Sequence, residues 1–254
     1  MTANENQNKM LHTFGLLGRN ISYSFSSGYF AEKFKELNLT THRYVNFDVQ
    51  SIAGFSQLLK ENVINGMNVT IPYKEEILPF LDEIDEEAAL IGAVNTIKFL
   101  ENGLVKGFNT DVYGFENSLK PLLKSHHKKA LIFGTGGASK AIAFALTKLQ
   151  IDFLFVSRMP IAKNQIAYTD LNQAVIEEHS VLINCTPLGT FPEVQLCPDI
   201  PYQYISTKHL LFDLIYNPST TAFLQKGKVK GAEIKNGLEM LQLQAEKSWQ
   251  IWNH

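Results

Sequence analysis

Lys74 closes the stretch "NVTIPYK" (68–74), an apolar run that meets a proline and then a charged amine. An amine at that place is either a surface stub or a group that passes protons to and from oxygen. Asp111 in "GFNTD" is the second such group. Ser22 and Ser24 in "NISYSFS", Asn68 and Thr70 beside Lys74, Asn95 in "GAVNT", and Asn109 and Thr110 beside Asp111 add hydroxyls and amides. In open α/β sheets, ligands bind outside the carboxyl ends of strands, so polar groups at several such ends can converge on one small molecule. Hydroxyls, amides, one amine and one carboxylate suit a polyhydroxylated acid. Each also has a local reading: the serines precede a predicted helix they can cap, Asn before Thr favours turns, and Asp111 is a good N-cap for "VYGFENSL".

A second constellation is "GTGGAS" (134–139), which follows the apolar "ALIF" and opens an Ala-rich helix. Glycine at 134 permits a tight turn, and glycine at 136 lets the backbone approach a pyrophosphate held at a helix N-terminus. The third small position is Ser139, a departure from Gly or Ala. About 20 residues on, where a carboxylate grips the ribose of NAD, stand Ser157 and Arg158 instead. A guanidinium beside a hydroxyl suits a 2′-phosphate, so these residues favour NADP.

These groups need elements to hold them. "HTFGLLG", "HRYVNFDV" and "INGMNVTIP" read as strands, with helices in "SSGYFAEKFKELNL" and "SIAGFSQLLKEN" between them. "KEEILPFLDEIDEEAALIG" reads as mostly helical with a break at Pro79, and "AVNTIKFLENGLVKGFN" as a hairpin turning at Glu101-Asn102-Gly103. After the helix "TDVYGFENSLKPLL", the strand, glycine turn, helix and strand of 129–158 start a second α/β unit, continued by the buried runs "VLINCTP" and "LLFDLIY". Leu238, Leu241, Ala245, Trp249 and Trp252 form one face of a C-terminal helix. The expected fold is α/β in two lobes.

Composition narrows the function. Of 254 residues, 45% are apolar and 19% charged, which supports a substantial core, and the net charge of −2 gives no footprint for nucleic acid. The basic run "KSHHKK" (124–129) reads as a solvated loop. Two cysteines, Cys185 and Cys197, without CxxC or clustered histidines, indicate neither a disulfide framework nor a metal site, and point to the reducing cytoplasm. No run approaches the roughly 18 apolar residues of a membrane span. The polar "MTANENQNK" at the start lacks the apolar core of a signal peptide and is expected to be disordered.

"SYS", "NVTIPYK", "GAVNTI", "GFNTDVYGF", "GTGGASKA", "NCTPLG", "DLIYNP" and "NGLEMLQLQA" occur in the order and approximate spacing of shikimate dehydrogenases, the NADP-dependent enzymes of aromatic amino-acid biosynthesis, which the chain resembles from about residue 13 to 250. The resemblance implies an N-terminal substrate lobe of residues 1–110 plus 238–254, and a Rossmann-type NADP-binding domain of 111–237. It implies that Ser22 and Ser24 hold a substrate carboxylate and that Thr70, Asn95, Asp111, Tyr216 and Gln244 surround ring hydroxyls. Gly134, Thr135, Gly136, Gly137, Ala138, Ser157, Arg158, Leu214 and Gly237 would bind NADP, with Glu86 an outer contact.

Reducing a ketone leaves an alkoxide that needs an acid, and no histidine lies in these motifs, so Lys74 and Asp111 are the candidates; the resemblance implies that Lys74 transfers the proton. Asp111 would orient it and the adjacent substrate hydroxyl. The implied activity is reversible reduction of 3-dehydroshikimate to shikimate by a monomer or homodimer. A quinate/shikimate dehydrogenase and a non-catalytic sensor of such ligands are the alternatives. The sequence departs from the family at Ser157-Arg158-Met159, where the family has Asn-Arg-Thr and a second Arg follows; Lys163 is the nearest substitute. The connection of 188–205 has no role legible in its residues.

Overall fold

The computed structural model describes residues 11–22 and 24–254; the expected disorder of the first nine residues lies outside them. Contacts divide the chain into two units, residues 1–109 with 248–254, and residues 110–247. Residues 238–247, which the resemblance grouped with the first lobe, lie in the second unit by these contacts.

The first unit begins with β1 (His12–Gly18), α1 (Phe25–Glu36), β2 (His42–Asp48), α2 (Phe55–Glu61) and β3 (Gly66–Val69). It continues through the one-turn α3 (Tyr73–Glu76), β4 (Glu83–Ile84), α4 (Glu86–Ile91), β5 (Thr96–Phe99) and β6 (Val105–Phe108). The sheet order is β2-β1-β3-β5-β6-β4, parallel through β2, β1 and β3, with β5 antiparallel to both neighbours. The hairpin turns where expected: the Leu100 N–H donates to the Leu104 carbonyl, and Gly103 takes a positive φ of 84°.

The stretch from Lys74 to Gly92 departs from a mostly helical reading. Helix is confined to two short pieces, and the Asp82 and Asp85 N–H groups donate to Val105 and Gly107 carbonyls, so β4 adds an edge strand beside β6. Pro79 stands in a 3₁₀ turn just before this edge and has no N–H to continue a helix. Apolar residues on one sheet face, including Leu17, Phe55, Met67, Val69, Tyr73, Ile77 and Ile97, are buried together. The other face carries an aromatic cluster. Phe30 stacks on Tyr44 with centroids 4.6 Å apart, and Phe14 meets Trp249 and Trp252 at 5.5 and 5.0 Å.

The second unit contains α5 (Asp111–Leu119), β7 (Lys129–Phe133), α6 (Gly137–Lys148), β8 (Asp152–Ser157), β9 (Gln165–Ala167), α7 (Gln173–Glu178), β10 (Val181–Asn184), β11 (Leu210–Asp213), α8 (Ala222–Val229) and β12 (Glu233–Lys235). Its sheet is parallel in the order β12-β11-β10-β7-β8-β9. Counted within the unit this is 3-2-1-4-5-6 read from the other edge, the order of dinucleotide-binding folds, with the switch point between β7 and β10. The 188–205 connection covers this sheet's core: Ile200 and Ile205 are buried among Leu182, Leu211 and Phe223, and the Tyr202 hydroxyl donates to the Pro198 carbonyl. The basic run is not wholly solvated. His127 is buried, accepting the Lys124 N–H at Nδ1, which leaves Nε2 to donate to the Lys208 carbonyl.

The helix α9 (Leu238–Asn253) runs from the second unit into residues counted with the first. Its predicted stripe is displaced at the start: Leu238 is exposed and Met240 is buried instead. Among the described residues no helix is long and apolar enough to cross a membrane.

Gly66 is a point of close approach between β3 and α9. A Cβ there would stand 2.5 Å from the Trp252 indole, whose Nε1–H donates to the Ile97 carbonyl. Gly66→Ala must displace that ring, and overpacking of this kind costs about 1–3 kcal/mol. Urea unfolding is expected to show a loss in that range; an unchanged midpoint would mean that the indole yields freely.

Candidate active site

In the first unit, the ends of β1, β3 and β5 are tied together by main-chain bonds. Thr70 N–H donates to Leu17 O, Val69 N–H to Asn95 O, and Val94 N–H to Lys74 O, at 2.9, 2.8 and 2.7 Å. Thr70, Lys74 and Asn95 are therefore fixed to one another through the backbone, although 25 positions separate the outer two in sequence. Lys74 lies in α3, after the cis Ile71–Pro72 peptide. The serine loop joins the same end: Arg19 N–H donates to Ile71 O, and the Asp48 carboxylate accepts the Asn20 and Ile21 N–H groups. Ser24 caps α1, its Oγ accepting the Ser26 N–H at 3.1 Å; Ser22 is exposed on the turn before it. Capping and ligand binding are compatible here, because one uses the oxygen's lone pair and the other its hydrogen. Glu86, expected as an outer contact, opens α4.

In the second unit, the glycine turn leaves β7 at the switch point. Gly134 has φ of 100°, which only glycine adopts readily. Gly136 has an ordinary φ of −78°, and a Cβ there would meet nothing within 4 Å. The protein itself does not require glycine at 136, so the bare backbone there is a cradle that a side chain would fill. Thr135 and Gly136 are exposed, Gly137 and Ala138 open α6, and no side chain caps that helix. Its first N–H groups are the kind of donors a phosphate uses. Ser139 is explained locally: it is buried and its hydroxyl donates to the Gly136 carbonyl at 2.7 Å.

Ser157 ends β8 and accepts the Met159 N–H, and Arg158 and Lys163 are exposed beyond it. Burial raises the Tyr168 phenol, and the nearby Arg158 charge opposes that shift. Leu214 and Gly237, 23 positions apart, touch: a Cβ on Gly237 would lie 2.1 Å from the Leu214 carbonyl oxygen, and the Gly237 N–H donates to Ile215 O. Tyr216 follows two residues after Leu214 and is half-buried. Asp111 is the buried first residue of α5 rather than its cap, which is Thr110. One turn on, Gly114 lets α9 approach so closely that an added Cβ would meet Met240 O at 2.5 Å and Gln244 Cβ at 3.3 Å. That approach brings Gln244 to the turn of α5 that starts at Asp111.

The family model described as "Shikimate dehydrogenase substrate binding domain" matches residues 16–97. The shikimate dehydrogenase (NADP(+)) of Methanosphaera stadtmanae is 37% identical, across 94% of this chain and 90% of that protein. The chain belongs to the shikimate dehydrogenase family. The enzyme of the same name from Methanococcus maripaludis is 38% identical over the same shares of both chains. The structure of shikimate 5-dehydrogenase from Thermus thermophilus in complex with NADP(H) and shikimate superposes with a TM-score of 0.84 at 32% identity, covering 96% of this chain and 93% of that one.

One part of the second unit escaped sequence reasoning. Asn184 and Asp213, the last residues of β10 and β11, are completely buried. The Asp213 carboxylate accepts from Asn184 Nδ2, the Ile215 N–H and the Thr221 hydroxyl, while Asn184 Oδ1 accepts the Thr186 N–H and hydroxyl. Thr221 also caps α8. The legible signal was a polar residue ending each of two apolar runs, "VLIN" and "LLFD".

Burial pushes the Asp213 carboxyl up to about 6, outweighing its three hydrogen bonds. Raised in the folded chain, it keeps its proton where the unfolded chain, at the ordinary 3.8, has released it. Its contribution to stability is therefore fully present below about pH 4 and falls, by on the order of 3 kcal/mol, as pH rises to about 6. Asp213→Asn removes that slope. Urea midpoints at pH 4 to 7 are expected to show wild type losing stability relative to the variant across this window; parallel profiles would refute the shift.

Proposed function

We propose that this protein catalyses the reversible NADPH-dependent reduction of 3-dehydroshikimate to shikimate, a step of chorismate and aromatic amino-acid biosynthesis. The observation that carries this reading is the backbone tying of Thr70, Lys74 and Asn95, with the Ser22–Ser24 loop, inside the segment that matches the family's substrate-binding domain. In this reading the first unit binds substrate: Ser22 and Ser24 donate to its carboxylate, and Thr70 and Asn95 bond ring hydroxyls. From the second unit, Asp111, Tyr216 and Gln244 are assigned to hydroxyls on the family resemblance.

The second unit is the NADP domain. Gly134 to Ala138 and the uncapped start of α6 would hold the pyrophosphate and Ser157 and Arg158 the 2′-phosphate, with Leu214 and Gly237 as further NADP contacts. The bare cradle at Gly136 fits this group. NADPH, when bound, supplies the hydride. The carbonyl oxygen becomes an alkoxide as it is reduced, and Lys74 Nζ gives it a proton; in the oxidative direction Lys74 takes that proton back. Acid–base help of this kind is worth about 10² to 10⁴ in rate. The substrates are small molecules, the protein acts as monomer or homodimer, and the two free cysteines suit a reducing cytoplasm.

The direct test follows NADPH absorbance on adding 3-dehydroshikimate, with dehydroquinate and NADH as comparisons; no decay would favour a non-catalytic sensor. Lys74→Ala is expected to lower kcat by about 10² to 10⁴ in a folded protein that still binds shikimate, and a loss under about tenfold would remove Lys74 from the role. Arg158→Ala should raise KM for NADPH far more than for NADH, so equal effects on both would discard the 2′-phosphate contact.

A further inference from the structure

Successive side chains of a strand alternate between its faces, and on β2 one face carries Tyr44, Asn46 and Asp48. Tyr44 stacks on Phe30 of α1 and donates to Asn68 on β3, whose amide reaches Ser248 of α9. Asn46 and Asp48 bond instead to the loop that leaves β1 for α1 and carries Ser22 and Ser24. The Asp48 carboxylate accepts the Asn20 N–H at one oxygen (2.9 Å) and the Ile21 N–H at the other (3.1 Å). Asn46 meets the Ile21 carbonyl at 3.0 Å with one end of its amide and the Ser27 hydroxyl at 2.9 Å with the other. A main-chain carbonyl only accepts, so the end at Ile21 is the NH₂, and Ser27 donates to the oxygen. The Ile21 carbonyl also accepts the Ser24 N–H at 3.1 Å, which ties this anchor to the cap of α1.

The loop backbone needs such support. Asn20 has φ of 58°, a left-handed conformation that Asn tolerates better than most side chains and still disfavours. Its N–H is one of the two that Asp48 holds. Gly18 stands opposite Asp48 in the strand register, and a Cβ there would lie 2.6 Å from both Ile21 Cγ2 and Thr70 Cγ2. Ile21 and Thr70 therefore meet over Gly18, which sets the loop against the strand end that carries Thr70.

We infer that Asp48 and Asn46 are positioning residues for the substrate carboxylate: they hold the serine loop from behind, in the geometry Ser22 and Ser24 use, before substrate arrives. A loop ordered in advance loses less freedom on binding, so these residues act on affinity rather than on the chemical step. This deepens the proposed shikimate dehydrogenase reading and rests on it for the role of the two serines. Neither residue has a role implied by the resemblance. The charge of Asp48 makes the sign of the effect decisive. A negative charge near an anion site opposes binding, so its removal would by itself lower KM for shikimate, whereas loss of a strap raises it.

Asp48→Asn keeps the side chain's shape and turns one of its two acceptors into an NH₂ that faces an N–H. With the full chain oxidising shikimate, KM for shikimate is expected to rise about tenfold, the scale of one lost hydrogen bond. Meanwhile kcat and KM for NADP⁺ should stay within about threefold of wild type. A shikimate KM that is unchanged or lower overturns the inference and leaves the enzyme assignment standing.

The methyl ester of shikimate keeps the ring and lacks the charge, so it separates positioning from general damage. Its KM, or its inhibition constant against shikimate, should change by less than about threefold in Asp48→Asn, because hydrogen bonds to an uncharged acceptor are weaker and depend less on the loop. Equal losses on acid and ester give Asp48 a merely structural role and refute the proposal. Ser27→Ala removes only the proton that Asn46 accepts, and should raise KM for the acid by about threefold. Should Asp48→Asn fail to fold, Ser27→Ala with the same pair of ligands decides, and equal effects on the two overturn the inference. A wild type that does not turn over shikimate refutes the reading and the inference together.

Discussion

A strand that ends inside a protein leaves N–H and C=O groups that must find partners, and in this chain the segments that close those ends also carry the candidate chemistry. The Val94 N–H has no strand partner and takes the Lys74 carbonyl; the Thr70 N–H takes Leu17; Asn20 and Ile21 donate to Asp48. In the second unit, Ile215 and Thr186 donate to the side chains of Asp213 and Asn184. A buried unpaired group costs about 1–3 kcal/mol, so each closure is held by the same free energy that folds the sheet. Lys74, Thr70 and Asn95 keep their places because the backbone beside them is already committed.

The two units meet this demand differently. The first uses main-chain partners across a mixed sheet, with β5 reversed so that Asn95 enters at an end where β3 finishes. The second, wholly parallel, has no returning strand at its carboxyl edge and relies on the buried Asn184, Asp213 and Thr221. That choice leaves a carboxylate without exposure to water, which is why its proton is held to unusually high pH.

Much of this was legible where local pattern and tertiary role agree. Strand, glycine turn, Ala-rich helix and strand over 129–158 carry both periodicity and turn residues, and Gly134 takes the positive φ its turn needs. The hairpin at Asn102-Gly103 was equally plain. Between Lys74 and Gly92 the residues favour helix, yet backbone partners offered by β6 draw Glu83 and Ile84 into an edge strand, a tertiary demand that propensity does not record. The Leu238 end of the α9 stripe failed for a related reason: Gly114 admits the Met240 turn at close range, and Leu238 is left outside. At the site, residue type and strand-end position singled out Lys74, Thr70 and Asn95. Asn184 and Asp213 read as the tails of apolar runs, because the need they satisfy appears only when strands are laid side by side.

The division of α9 has a consequence for how the chain comes into being. Ser248, Trp249 and Trp252 complete the aromatic face and polar network of the first unit, yet they are translated after all of residues 110–247. During synthesis the first sheet waits, with Phe14, Phe30 and Gly66 uncovered, while an entire second unit emerges. The nascent chain therefore carries an exposed apolar face longest in the unit that is made first.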